Sequence, residues 1–391
     1  MSRADLAGNV RAVGLMTGTS ADGVDAVVVR IERGAPRRRA TLLAHRARPF
    51  AEELREEVLA AQEGTLPIRR LFALHVSIAR ASAVAAREAL AASELGDAPP
   101  DVAGFHGQTV FHDPHGEREG IPVSTQIGEP AVLARALRCP VVSNFRMADV
   151  LDGGEGAPLV PCFDYHQFAS DEKDRVLLNL GGIANLTRIP RGAPIARVSA
   201  FDCGPGNMLL DGLVAALAGD GARYDAGGEI AARGRADATV VREFLADEFI
   251  VRRPPKSAGR EQYGEAYRHR FLARTDGMTL PDRLRTAVAV TAGAVARGVA
   301  HTGGARPDEV IVSGGGARNE TLIGAIRAVL GGPSVVTSDS LGVPAEAKEA
   351  MAFAFLAAET LAGRPGNVPS ATGAGKEVVL GSITPPPWPR R

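Results

Sequence analysis

Apolar residues dominate positions 10–15 and again 26–31. The stretch between them, Met16-Thr17-Gly18-Thr19-Ser20-Ala21-Asp22-Gly23-Val24-Asp25, is polar and bounded by glycines, which predicts a strand, a turn and a second strand. A third strand is expected over 41–50, followed by helices over 51–62 and 68–92, the second with apolar residues at helical spacing. Ala98-Pro99-Pro100 interrupts the chain before a short strand at 102–105 that runs into His106-Gly107-Gln108-Thr109. Pro130 suits the first turn of a helix to Leu137, residues 140–145 form another strand, and the Gly- and Asp-rich loop 152–158 closes this half.

The pattern then restarts. Residues 175–187 again read as strand, glycine turn at Gly181-Gly182, and strand. Alternation from Ile195 to Val198 leads into a third strand that is expected to end at Asp202, with a turn at Gly204-Pro205-Gly206 and a helix carrying Leu209, Leu210, Leu213, Val214 and Leu217. A long helix over 281–301, a strand at 309–312, the run Ser313-Gly314-Gly315-Gly316, a strand at 334–337 and a helix over 345–361 with Glu346 and Glu349 in its first turns complete the order. The halves share no useful sequence identity. Their common order of elements implies a duplicated β-β-β-α-β-α unit, an α/β fold. With 391 residues the chain exceeds the size at which one core usually stops growing, and we place the lobes at 1–160 and 161–391.

Composition narrows the chemistry mainly by exclusion. Lys+Arg and Asp+Glu balance at 45 each, so no global basic field exists to attract nucleic acid or an acidic membrane. Cys139, Cys162 and Cys203 are isolated, the first ten residues are too polar for a signal peptide, and no apolar run reaches the roughly 18 residues of a membrane span, so a cytoplasmic protein is expected. Gly375-Lys376 lacks the earlier glycine and the following Ser/Thr of a P-loop, and no G-x-G-x-x-G follows a strand. Asp22 stands where a nucleophile elbow needs glycine. His106, His112 and His115 are grouped without cysteine, which favours hydrogen bonding to substrate or loop packing over a metal site.

Three glycine-rich turns remain, at 18–25, 181–182 and 314–316, together with Asp202 and the Gly-Pro-Gly that follows it. A Gly-Pro-Gly turn ahead of a helix presents backbone N–H groups and the positive end of a dipole, which suits an anion such as phosphate, and Asp202 would stand beside it. Gly314, Gly315 and Gly316 allow a very close approach of backbone to a flat ligand. With the turn at 18–25 and Gly181-Gly182, these features fit a nucleotide held between two lobes.

The runs that carry these features, from Gly14 to Asp25, His106 to His112, Gln126 to Pro130, Gly156 to Pro161, Asn179 to Thr187, Phe201 to Asn207, Pro254 to Ser257 and Ser313 to Gly316, resemble the anhydro-N-acetylmuramic acid kinase family in order and over nearly the whole chain. Thr17, Ala21 and Cys203 depart mildly from its usual residues, and none removes an obvious catalytic group. The resemblance implies a duplicated actin-like ATPase (ribonuclease H-like) fold with two lobes around a nucleotide cleft, ATP and magnesium as cofactors, and a homodimer. It further implies opening of a 1,6-anhydro ring with phosphorylation at O6, giving N-acetylmuramate 6-phosphate for peptidoglycan recycling. On that footing Gly18, Thr19, Ser20, Ala21, Asp22, Gly23, Val24 and Asp25 form the phosphate loop. Gly181, Gly182, Gly204, Gly206, Gly314, Gly315 and Gly316 line the nucleotide, and Asp202 is the catalytic base. Asp22 and Asp25 either orient magnesium through water or cap the turn at Gly23. His106, Gln126, Arg146 and Glu349 are assigned to the sugar, Arg146 because a guanidinium grips both oxygens of a carboxylate. The competing classes are a kinase acting on an ordinary sugar hydroxyl, a non-metabolic actin-like ATPase, and a glycosidase.

Overall fold

The computed structural model describes residues 9–387 apart from 33, 35, 119 and 220. It divides into two units, one made of residues 1–168 and 347–391 and the other of 169–346.

The first unit is built on β1 (Val10–Met16), β2 (Gly23–Ile31), β3 (Ala40–Pro49), β4 (Val102–Phe105) and β7 (Val141–Ser143). A hairpin of β5 (Gln108–Asp113) and β6 (Val123–Ile127) stands apart as its own two-stranded sheet. The main sheet runs from a closing strand, Ser382–Thr384, through β7, β4, β1 and β2 to β3. β1 pairs antiparallel with β2 and parallel with β4. β1 and β4 are apolar almost without alternation because both faces are covered. Val13, Leu15, Ala103 and Phe105 join a core with Leu74 and Ile78 of the helix Ile68–Ala91. The intervening Gly14 and Gly104 face the other way, against the helix Lys348–Leu361. A Cβ on Gly14 would lie 1.9 Å from the Ala350 carbonyl oxygen, and one on Gly104 would lie 2.0 Å from that of Phe353.

The second unit holds β8 (Arg175–Leu180), β9 (Ile183–Ile189), β10 (Ser199–Pro205), β11 (Glu309–Ser313) and β12 (Ser334–Thr337), in the order β10-β9-β8-β11-β12. β8 pairs antiparallel with β9 and parallel with β11, as β1 does with β2 and β4. The two sheets therefore share a five-strand topology, a first strand in the middle with an antiparallel meander to one side and two parallel strands to the other, and Ser382–Thr384 is added antiparallel at the edge of the first sheet. That is the duplicated α/β arrangement expected of an actin-like chain.

Four local expectations are corrected. Residues 195–198 do not belong to the third strand: Ile195–Arg197 is a single 3₁₀ turn after Pro194, and β10 begins at Ser199. Asp202 lies inside β10 and does not end it. The last long helix starts at Lys348, which leaves Glu346 outside it, paired with Arg318. Residues 347–391 group with the amino-terminal unit, whereas the reading from sequence kept 161–391 together. The helix that makes this return is buried on nearly every side from Ala350 to Thr360, so its local pattern names no partner.

Because Gly104 meets backbone and not a flexible side chain, Gly104→Ala should destabilise the protein by about 1–3 kcal/mol through overpacking. Thermal melting of the variant beside the parent protein measures this, and an unchanged midpoint would contradict the close approach.

Candidate active site

In the second unit the ladder between β10 and β9 slips between Asp202 and Gly204, a bulge that bends the strand next to the carboxylate. The loop after Pro255 reaches back to it. The Asp202 N–H donates to the Lys256 carbonyl at 3.2 Å, while Oδ2 accepts from the Ala258 N–H at 2.7 Å and from the Ser257 hydroxyl at 3.3 Å. No hydrogen bond reaches Oδ1 from the described residues. Burial raises the Asp202 carboxyl to about 6, against the pull of those two hydrogen bonds and of Lys256. Lys256 is itself buried and donates to the carbonyls of Phe249 at 2.8 Å and Ile250 at 3.3 Å, at the carbonyl end of the short helix Glu248–Val251.

The glycines of this unit fall into two groups. Gly181 and Gly182 form the β8–β9 turn, and their carbonyls accept from the N–H groups of Asn207 at 2.8 Å and of Gly206 and Met208 at 3.0 Å each. Asn207 Nδ2 donates to the Leu180 carbonyl at 3.0 Å. Gly314, with φ of +81°, opens a turn in which a Cβ on Gly316 would lie 2.7 Å from Leu180 Cβ, while one on Gly315 would meet nothing nearer than Asn207 Nδ2 at 3.5 Å. Gly181, Gly182, Gly206 and the run Gly314 to Gly316 are thus brought together around Leu180 and Asn207. Gly204 belongs elsewhere: a Cβ there would lie 2.8 Å from Ala294 Cβ in the helix Leu280–His301, so its missing side chain serves packing.

In the first unit, the run from Gly18 to Asp25 is the β1–β2 turn and the start of β2. The Ala21 N–H donates to the Gly18 carbonyl at 3.1 Å, and Ala21 holds a φ of +57°. Ala21 and Val24 are core residues, so only their backbone is available to a ligand, whereas Thr19, Ser20 and Asp22 are exposed. Gly23 lies under β3, where a Cβ would be 2.3 Å from the Arg48 carbonyl oxygen. Asp25 Oδ1 is paired with His45 Nε2 at 2.9 Å, and Asp22 is 3.9 Å from Arg55. Among the described residues no group of three or more His, Cys, Asp or Glu is arranged to hold a metal ion, so magnesium would fit here only as an ion that keeps phosphate and water ligands.

His106 and Arg146 meet directly. His106 is buried against Phe353, its Nδ1 donates to the Gly107 carbonyl at 2.7 Å, and Nε2 accepts from Arg146 Nε at 3.1 Å and Nη2 at 2.9 Å. Burial, and then the guanidinium, hold its pKa well below the usual value, so the ring is neutral, as an acceptor facing a cation must be. Glu349 stands in the first turn of Lys348–Leu361 with its side chain exposed. Desolvation by the surrounding protein raises its carboxyl, and Lys348 and Arg146 draw it back down. Gln126 Nε2 donates to the Ser124 hydroxyl at 2.9 Å, and its Oε1 is buried without a partner. His112 and His115 turn to Ser124 and Glu155.

Several residues here escape sequence reasoning. Ser257 and Ala258 hold Asp202, Asn207 joins the glycine turns, and Gln108 Nε2 donates to the Gly18 carbonyl at 3.0 Å. All four lie in or beside the runs quoted above, but their partners are distant in sequence and leave no local periodicity.

The family model described as anhydro-N-acetylmuramic acid kinase matches residues 10–386. Relatives that bear this name include those of Synechococcus sp. (strain CC9605), 42% identical with 94% of this chain and 98% of the relative covered, and of Gloeobacter violaceus, 38% identical with 96% and 98% covered. That of Bacillus cereus (strain AH820) is 38% identical, with 96% and 99% covered. Solved structures resemble the chain more distantly. The activator of the 2-hydroxyisocaproyl-CoA dehydratase from Clostridium difficile is 14% identical at a TM-score of 0.42, covering 89% of this chain and 94% of that one. The match across nearly the full length, at these identities, means that the chain belongs to the anhydro-N-acetylmuramic acid kinase family.

Proposed function

We propose that Asp202 is the general base of a hydrolytic phosphorylation in which the 1,6-anhydro ring of anhydro-N-acetylmuramate opens and O6 takes the γ-phosphoryl group of ATP. The observation that supports this reading best is the half-tethered carboxylate: Oδ2 is fixed by Ser257 and Ala258, and Oδ1 is left to take a proton. An anhydro sugar has no free 6-hydroxyl, so a base must act on something else first. Oδ1 removes a proton from water as the water oxygen bonds to C1. The C1–O6 bond breaks with its electron pair on O6, and O6 then attacks the γ-phosphorus as ADP leaves. The net change consumes one water and yields N-acetylmuramate 6-phosphate, ADP and a proton, as recycling of peptidoglycan fragments in the cytoplasm requires.

The remaining residues bind and orient. The backbone of Gly18 to Asp25 is assigned to the phosphates, and in the other unit the turns at Gly181-Gly182, Gly206 and Gly314 to Gly316 are assigned to the nucleotide. Magnesium supplies charge neutralisation on the phosphates when bound, and Asp22 and Asp25 would hold its water shell. Arg146 takes the sugar carboxylate and Glu349 a hydroxyl, while His106 and Gln126 support that side of the sugar.

Asp202→Asn should lower kcat by at least ~10²–10⁴-fold with ATP affinity nearly intact, measured by coupled ADP release and by titration with a nonhydrolysable analogue. Substantial remaining turnover would refute the role.

The base works only when ionised, and its carboxyl stands at about 6, so kcat/KM should rise with pH through about 6 and level off above it. Ser257→Ala removes a hydrogen bond that lowers this value, so the acid limb should move upward; a limb that stays in place would detach the pH profile from Asp202.

Turnover in ¹⁸O-water, read by mass spectrometry, should put the label on C1 of the phosphosugar. Unlabelled product would exclude attack by water.

A further inference from the structure

Asp149 has no part in the reaction above, yet it is fully buried and both of its oxygens are occupied. Oδ1 accepts from Asn367 Nδ2 at 2.8 Å and from the Thr372 hydroxyl at 2.7 Å, both on the segment that returns after the last long helix. Oδ2 accepts from the Gly156 N–H at 2.8 Å. The Gly156 carbonyl then accepts from Arg146 Nη1 at 2.8 Å, on the guanidinium whose Nε and Nη2 face His106. The loop is moulded to this carboxylate: a Cβ on Gly154 would lie 2.2 Å from Asp149 Oδ2, and one on Gly156 would lie 3.3 Å from Arg146 Cβ. Gly156 sits at a φ of +65°, where glycine is favoured. The segment is tied in twice more, by the Glu155 N–H to the Thr372 carbonyl at 2.8 Å and the Gly375 N–H to the Asp152 carbonyl at 2.8 Å.

We propose that Asp149 is a positioning residue for Arg146, setting the direction of its guanidinium through Gly156 and thereby the enzyme's preference for a sugar that carries a carboxylate. The inference rests on the reading of Arg146 as the carboxylate's partner. His106 fixes one edge of the guanidinium and Gly156 one end, so the remaining N–H groups are aimed before any sugar arrives. Such pre-organisation adds to discrimination because the ordering cost is met in the folding of the protein. An amide in place of Asp149 cannot accept on both sides, so either the Gly156 N–H or the Asn367 and Thr372 donors would face an NH₂ group.

The test compares anhydro-N-acetylmuramate with the same anhydro sugar lacking its lactyl group, which has no carboxylate. In Asp149→Asn, kcat/KM for the first should fall about 10-fold or more, with kcat/KM for the second and KM for ATP within about twofold of the parent protein. Arg146→Gln should lose more on anhydro-N-acetylmuramate than on the sugar without the lactyl group, and the double variant should lose nothing beyond Arg146→Gln. Thr372→Val, which loosens Oδ1 and keeps the charge, should repeat the selectivity at smaller amplitude and serves if Asp149→Asn is too unstable to purify. Equal losses on both sugars in the Asp149 and Thr372 variants, with Arg146→Gln selective, overturn the positioning role alone. Equal losses in Arg146→Gln overturn the carboxylate reading and this inference with it.

Discussion

A carboxylate can be useful as a base only if the fold holds it without satisfying it. Asp202, the proposed base, and Asp149 differ in this respect. Asp149 has no exposed surface and donors on both oxygens, so its charge is spent on architecture. Asp202 is held by one oxygen while burial raises its carboxyl to about 6, close enough to neutrality that it is mostly ionised at pH 7 and still takes a proton readily. The bulge after Asp202 and the loop at Lys256 to Ala258 both serve that half-satisfied state. Lys256 contributes charge without contact, its ammonium being spent on the carbonyls of Phe249 and Ile250.

Glycine does two unrelated jobs in this chain. Gly14, Gly104 and Gly204 are sites where another element presses against the strand, and a side chain would meet its backbone or a core methyl group. Gly181 and Gly315 have no atom nearer than 3.5 Å to the position of a Cβ, which leaves their backbone open to a ligand. Both kinds follow apolar strands or sit in them, so composition and spacing do not separate them. The distinction lies in what approaches from elsewhere in the chain.

That limit explains which parts of the fold and site were legible. The strand-turn-strand openings of both halves, the strand Val102–Phe105 and the helix Pro130–Leu137 follow from apolar runs punctuated by glycine or proline, and the structure places them within a residue or a few of expectation. The run Ile195 to Val198 alternates like a strand, but it sits just after Pro194, and Ile195–Arg197 folds as a 3₁₀ turn. The β5–β6 hairpin reads in sequence only as two polar motifs, His106 to Thr109 and Gln126 to Pro130, because its strands mix exposed and buried positions irregularly. Asp202 could be picked out because a strand, glycines and a helix surround it in sequence. Ser257, Ala258 and Asp149 could not, since what marks them is a partner 55, 56 and 218 residues away.

The same reasoning explains why the chain's end returns to its beginning. The helix Lys348–Leu361 is buried from Ala350 to Thr360, and Gly14 of β1 and Gly104 of β4 let its backbone pack directly against theirs. Once that helix is seated, the segment that follows it lies beside β7, where Ser382–Thr384 extends the sheet. Between the two, Asn367 and Thr372 arrive at Asp149 as donors, and within the helix Glu349 is set near Arg146 and Phe353 packs on His106. A packing requirement at two glycines therefore decides the environment of three side chains assigned to the sugar. This is why residues at opposite ends of the sequence have to be read as one structural element.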